Sequence, residues 1–194
     1  MRYKHIIWDF DGTLFDTYPA MAKAAQLALK ELGYDESVER VMAEMKISMG
    51  HAMKVFGAKY DLPEGFMARY KVIRDACELQ TAAPFAGIKP LCRRIIAEGG
   101  YNYIASHRGA SMVPLLDKYG MTELFRACAT DENGFARKPS PEAINYLIET
   151  CAIERSSAIM IGDRDLDLQA GENAGIDSRY FDGTDIDALI ADIL

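Results

Sequence analysis

The chain has 194 residues, 49% of them hydrophobic and 26% charged, and a formal net charge of −7. That balance suits a folded α/β domain with a modest insertion and excludes a disordered chain. The acidic excess leaves no broad basic surface, so no nucleic-acid partner is expected. No apolar run has the length of a membrane span or a signal segment, so no membrane association is expected either. Cys77, Cys92, Cys128 and Cys151 are widely spaced without a metal-ligand pattern, which reads as reduced thiols of a cytoplasmic protein.

Lys4 to Trp8 predicts a short buried strand. Thr17 to Leu32 then predicts a helix with Thr17 as N-cap, Pro19 in its first turn and Gly33 as its stop. Its apolar face would be Met21, Ala24, Ala25, Ala28, Leu29 and Leu32. Val38–Lys46, Gly50–Lys59 and Gly65–Leu79 are helical in pattern, with no strand among them, so residues 16–81 are expected to form an all-helical insertion. The alternation then resumes, with a helix over Ile88–Glu98, a strand over Tyr101–Ala105, a helix over Ala110–Tyr119 and a strand over Phe125–Ala129. A helix over Pro141–Thr150 capped near Ser140, a strand over Ser157–Ile161 and a helix over Leu166–Asn173 follow. A strand near Ser178–Phe181 and a helix over Ile186–Ile193 close the pattern. Such alternation predicts an α/β, Rossmann-like, mostly parallel sheet with helices on both faces, built from residues 1–15 and 82–194.

The strand ends carry the chemistry. Asp9 and Asp11 follow the first strand, and two-residue spacing on an extended backbone would put both carboxylates on one side. Gly12-Thr13 behind them permits a close turn. Ser106-His107-Arg108 ends the second strand, Arg137-Lys138-Pro139 lies beyond the third, and Gly162-Asp163 with Asp167 ends the fourth. An aspartate can attack phosphorus and hold the phosphoryl group, and a second carboxyl can protonate the leaving oxygen and later activate water. Oxygen donors such as Asp9, the Asp11 carbonyl and Asp163 suit Mg²⁺. Lys138, with the hydroxyl or amides at Ser106 and His107, can clamp phosphoryl oxygens. The bland readings are a turn for Asp-x-Asp, a helix cap for Ser106, a solvated loop charge for Lys138 and an acidic helix start for Asp163 and Asp167. Their joint occurrence at successive strand ends favours function.

Asp9-Phe10-Asp11-Gly12-Thr13, Ser106, Lys138 in Arg-Lys-Pro, and Gly162-Asp163 with Asp167 together resemble the four motifs of the haloacid-dehalogenase-like hydrolase superfamily. The resemblance spans nearly the whole chain and is greatest to phosphoglycolate-phosphatase-like members with a small helical cap. It implies Asp9 as phosphoryl-accepting nucleophile, Asp11 as general acid and base, and Lys138 as the cation that steadies the intermediate. Gly12, Thr13, Ser106 and His107 would receive the phosphate. Asp9, the Asp11 carbonyl and Asp163 would hold Mg²⁺, with Asp167 supporting the metal site or Lys138. The Asp9 strand and the Ile161 strand would be neighbours.

His107 stands where many such proteins have asparagine, so its side chain is expected to meet substrate or cap. Met45–Gly50 is the expected substrate-facing cap segment. Asp11 argues against a dehalogenase, which needs no such proton donor. The expected function is a magnesium-dependent phosphatase acting on a small phosphorylated metabolite. The alternatives are a phosphosugar mutase and a non-enzymatic phosphometabolite-binding or regulatory protein.

Overall fold

Five strands, β1 (His5–Trp8), β2 (Tyr101–Ala105), β3 (Phe125–Ala129), β4 (Ala158–Gly162) and β5 (Asp177–Tyr180), pair in parallel in the order β3-β2-β1-β4-β5. The computed structural model describes residues 1–194. β1 and β4 are buried throughout, as expected for strands with neighbours on each side and cover on each face. Register places Trp8 beside Ile104 on one side and beside Ile161 on the other. The residues leaving β1, β2 and β4 therefore emerge together. The strand order also reverses direction at β1, and open α/β sheets bind ligands at such a crevice.

Alternation along the strands sends successive side chains to opposite faces. Ile7, Tyr103, Ala105 and Met160 pack with Ile144, Leu147 and Ile148 of α7 (Glu142–Cys151) and with Ala170 of α8 (Asp165–Asn173). Asn102 points the other way. Its amide donates to the Cys92 carbonyl of α5 (Ile88–Ala97), and its oxygen accepts from the Trp8 indole. This pairing satisfies two buried polar side chains within an apolar layer. All four cysteines are free thiols, with Cys92 buried. No helix is long and apolar enough to cross a membrane.

The expected helix over Ala110–Tyr119 is instead a 3-10 turn, Ala110–Met112, followed by α6 (Val113–Lys118). Pro114 explains the break, because its ring and missing N–H suit only the first turn of an α-helix. The last helix, α9 (Ile186–Ile193), keeps its expected span.

The contacts divide the chain into two compact units, Met1–Asp16 with Pro84–Leu194, and Thr17–Ala83. The second is the helical cap, made of α1 (Tyr18–Glu31), α2 (Val38–Ile47), α3 (Met49–Lys59) and α4 (Phe66–Thr81). Ala24, Ala25, Ala28 and Leu29 of α1 meet Val41 and Met45 of α2, Phe56 of α3 and Phe66 and Tyr70 of α4. Small residues on one helix let the larger ones of its neighbours interdigitate. Leu32, expected on this face, is exposed because α1 ends before it, and Ala22 is buried in its stead. Thr17 stands at the N-cap position but makes no side-chain capping bond.

Candidate active site

β1 stops at Trp8, the Asp9 amide still donates to the Ile161 carbonyl of β4, and the chain turns from Phe10 onward. The amides of Leu14 and Phe15 both donate to the Phe10 carbonyl, and the Gly12 amide donates to the Phe15 carbonyl. Gly12 takes φ 80°, a left-handed conformation that a side chain disfavours. Within this turn the two carboxylates are held by different cations. Asp9 Oδ1 accepts from Lys138 Nζ at 2.6 Å, whereas Asp11 Oδ1 accepts from Arg108 Nη1 at 2.5 Å.

Lys138 is buried and bridges. Its Nζ also donates to Asp167 Oδ1 at 2.6 Å, and Asp9, Asp167 and Lys138 are 2%, 0% and 5% exposed. Burial by itself lowers the pKa of this ammonium, but the two carboxylates outweigh burial and hold it raised. Burial pushes the Asp9 carboxyl up, Lys138 pulls it down, and the Asp167 charge adds to the upward push. Two carboxylates thus share one ammonium, and the net effect on Asp9 is a raised pKa. Asp9 Oδ2 is buried with no hydrogen-bond partner.

Asp163, beyond β4, completes a cluster in which one oxygen each of Asp9, Asp163 and Asp167 lies within 4.8 Å of the others. An all-oxygen set of carboxylates fits a hard divalent cation. Both Asp167 oxygens are already engaged, Oδ1 by Lys138 and Oδ2 by the Arg164 amide at 3.1 Å. The carboxylates of Asp9 and Asp163 are the better disposed pair toward an ion. Gly162 is required here, since a Cβ at that position would overlap the Asp167 side chain.

The residues expected at a phosphate take varied positions. Thr13 is fully buried, and its hydroxyl turns to Asp163 Oδ1 at 3.5 Å. Ser106 is buried at the end of β2, and its Oγ accepts from the Arg108 amide at 3.2 Å. The His107 side chain, expected at substrate or cap, turns inward, and its Nε2 lies 2.7 Å from the Lys138 amide nitrogen. In the cap, the Ser48 hydroxyl accepts from the His51 amide at 2.9 Å, so it caps α3.

Arg108 is the residue that sequence reasoning left without a role. Its side chain is 2% exposed, with Nε donating to Ser111 Oγ at 3.1 Å and the guanidinium 5.4 Å from the centre of the Phe10 ring. A stacked, planar donor of this kind holds a carboxylate in a defined orientation. The available signal was a cation following the second strand at the end where Asp11 follows the first, but adjacency of those strands had to be known to use it.

A family model described as haloacid dehalogenase-like hydrolase matches residues 6–180. A phosphoglycolate phosphatase of Vibrio parahaemolyticus is 27% identical over 183 residues, covering 89% of this chain and 80% of that protein. An N-acetylmuramic acid 6-phosphate phosphatase of Pseudomonas aeruginosa is 26% identical over 184 residues, covering 90% and 80%. The crystal structure of a hydrolase from Streptococcus pneumoniae is 33% identical and superposes with a TM-score of 0.73 over 100% of this chain and 99% of that one.

Proposed function

Because the chain belongs to the haloacid dehalogenase-like hydrolase family, we propose that it is a magnesium-dependent hydrolase of small-metabolite phosphomonoesters, with Asp9 as nucleophile. The observation that carries this reading is the divided Asp9 carboxylate, with Oδ1 gripped by Lys138 and Oδ2 buried without a partner. A buried carboxylate oxygen left unpaired is costly, and proteins retain one where a ligand completes it. Asp163 beside it supplies a second oxygen donor. Magnesium held by Asp9, Asp163 and the Asp11 carbonyl would offset the negative charge as an anionic phosphate meets an anionic nucleophile.

In the first half-reaction an Asp9 oxygen bonds to phosphorus while the bond to the leaving oxygen breaks, and Asp11 delivers a proton to that oxygen. In the second, Asp11 takes a proton from water as the water oxygen attacks the same phosphorus. The bond to Asp9 breaks, and phosphate leaves with the carboxylate restored. Lys138 stays against Asp9 throughout, and Asp167 keeps the ammonium in place. Arg108 orients the Asp11 carboxylate. Gly12, Thr13, the Ser106 hydroxyl and the His107 amide receive phosphoryl oxygens.

The names of the Vibrio and Pseudomonas relatives support a small phosphorylated metabolite and differ as to which one. The test is phosphate release from a panel of phosphoglycolate, sugar phosphates, nucleotides and phosphorylated cofactors, with Mg²⁺ or with EDTA. Turnover that is lost in EDTA and in Asp9→Asn is the expected result. Wild-type turnover by Asp9→Asn refutes the nucleophile, and a folded protein inert to the whole panel favours the binding protein.

A further inference from the structure

The His107 imidazole is half-buried, and its Nε2 lies 2.7 Å from the Lys138 backbone nitrogen. A backbone N–H only donates, so Nε2 presents its lone pair, and the ring carries its proton on Nδ1. Burial, followed by the positive charges of Lys138, Arg137 and Arg164, pushes the imidazole down to about 4, so it stays neutral at physiological pH. The residue that donates this bond carries the ammonium held 2.6 Å from both Asp9 and Asp167.

Lys138 lies in neither helix nor strand. The Ser140 amide closes a turn onto the Arg137 carbonyl at 3.0 Å, and Asn173 of α8 donates to the Pro139 carbonyl at 2.9 Å. His107 supplies the bond on the Lys138 side of that turn. A flexible four-carbon side chain places its ammonium only as well as its backbone is placed.

We propose that His107 is a positioning residue, whose Nε2 lone pair fixes the Lys138 backbone and thereby the ammonium on Asp9, coupling the end of β2 to the loop ahead of α7. This rests on the catalytic reading of Asp9 and Lys138. It gives the His107 side chain an internal task in place of contact with substrate or cap.

The first test needs no variant. Long-range nitrogen–proton spectra of the folded wild-type protein at pH 7 should show His107 as the Nδ1–H tautomer; an Nε2–H tautomer or an imidazolium overturns the proposal. Kinetics with p-nitrophenyl phosphate and Mg²⁺ supply the second. His107→Phe should lower kcat about 10–100-fold, the range for groups that orient a catalytic residue, with KM within about 2-fold. His107→Gln, whose amide oxygen can accept the same bond, should recover most of that loss. In combination with Lys138→Met, His107→Phe should add little, because its effect passes through Lys138.

Unchanged kcat in His107→Phe overturns the proposal, as does a raised KM with a loss that multiplies onto Lys138→Met. Where His107→Phe does not fold, the tautomer and the His107→Gln rates decide, and a large loss in folded His107→Gln refutes it. Asp9→Asn separates the two levels. Wild-type turnover there removes the catalytic reading itself. Inactive Asp9→Asn and a slowed Lys138→Met with an indifferent His107→Phe remove only the positioning role.

Discussion

Replacing Lys138 by methionine takes one positive charge from between two buried carboxylates. Both of its bonds, to Asp9 and to Asp167, are 2.6 Å long, and all three side chains are 3% exposed or less. Removing one partner of such a buried pair costs about 3–5 kcal/mol. In a chain of this length each kcal/mol moves Tm by about 2–4 °C, so Lys138→Met should melt about 6–20 °C lower in EDTA at pH 8. Two conditions should shrink that loss. Burial and the Asp167 charge already raise the Asp9 carboxyl, and removing Lys138 raises it further, so acidification protonates Asp9 and relieves the repulsion. The destabilisation should thus be largest above the Asp9 pKa and should fall as pH drops through it. Saturating Mg²⁺ should also narrow the gap, because the folded variant, with one more unbalanced negative charge at the site, should bind the ion more tightly than the wild type does. Trp8 is the single tryptophan and is fully buried in β1, so its fluorescence during urea unfolding reports the catalytic unit. A variant within about 1 kcal/mol of wild type in EDTA at pH 8 would refute the reasoning. So would a loss indifferent to both pH and Mg²⁺.

Arg108→Met removes a charge-assisted hydrogen bond to Asp11 together with the guanidinium over Phe10. It should cost about 1.5–3 kcal/mol in urea unfolding, and kcat should fall with little change in KM. A parental kcat would show that Asp11 needs no such support. Ser48→Ala should weaken the cap by about 1 kcal/mol through the lost N-cap bond to His51, and parental cap stability would contradict that assignment. If Lys46→Ala and Ser48→Ala both keep the parent's relative kcat/KM values across substrates, the substrate-facing reading of residues 45–50 fails.

The α/β class and most elements were legible because helices and buried strands write their burial into local periodicity. β2 and β3 keep their expected spans, Tyr101–Ala105 and Phe125–Ala129. The misjudged pieces have local causes of another kind. Pro114 restarts a helix that apolar spacing had run on, and Leu32 carries the right spacing on a helix that has already ended. The candidate site was legible as a set of strand-end residues, and not as a set of partners. Asp9 and Asp11 stand two residues apart in the sequence, yet they take different cations, Lys138 and Arg108. His107 reads as a group that meets substrate or cap, whereas its Nε2 accepts from the Lys138 amide.

The sequence by itself determined that carboxylates, a lysine, a hydroxyl and a histidine stand at the ends of strands in an alternating α/β chain. That information is local, carried by apolar runs a few residues long and the polar residues that end them. Only the tertiary structure decided which cation meets which carboxylate. Lys138 and Asp9 are 129 positions apart, and Arg108 and Asp11 are 97 apart. Such pairings depend on the order β3-β2-β1-β4-β5 and on its register, which set Trp8 between Ile104 and Ile161. Strand order is a property of the whole packed sheet, and no single segment carries it.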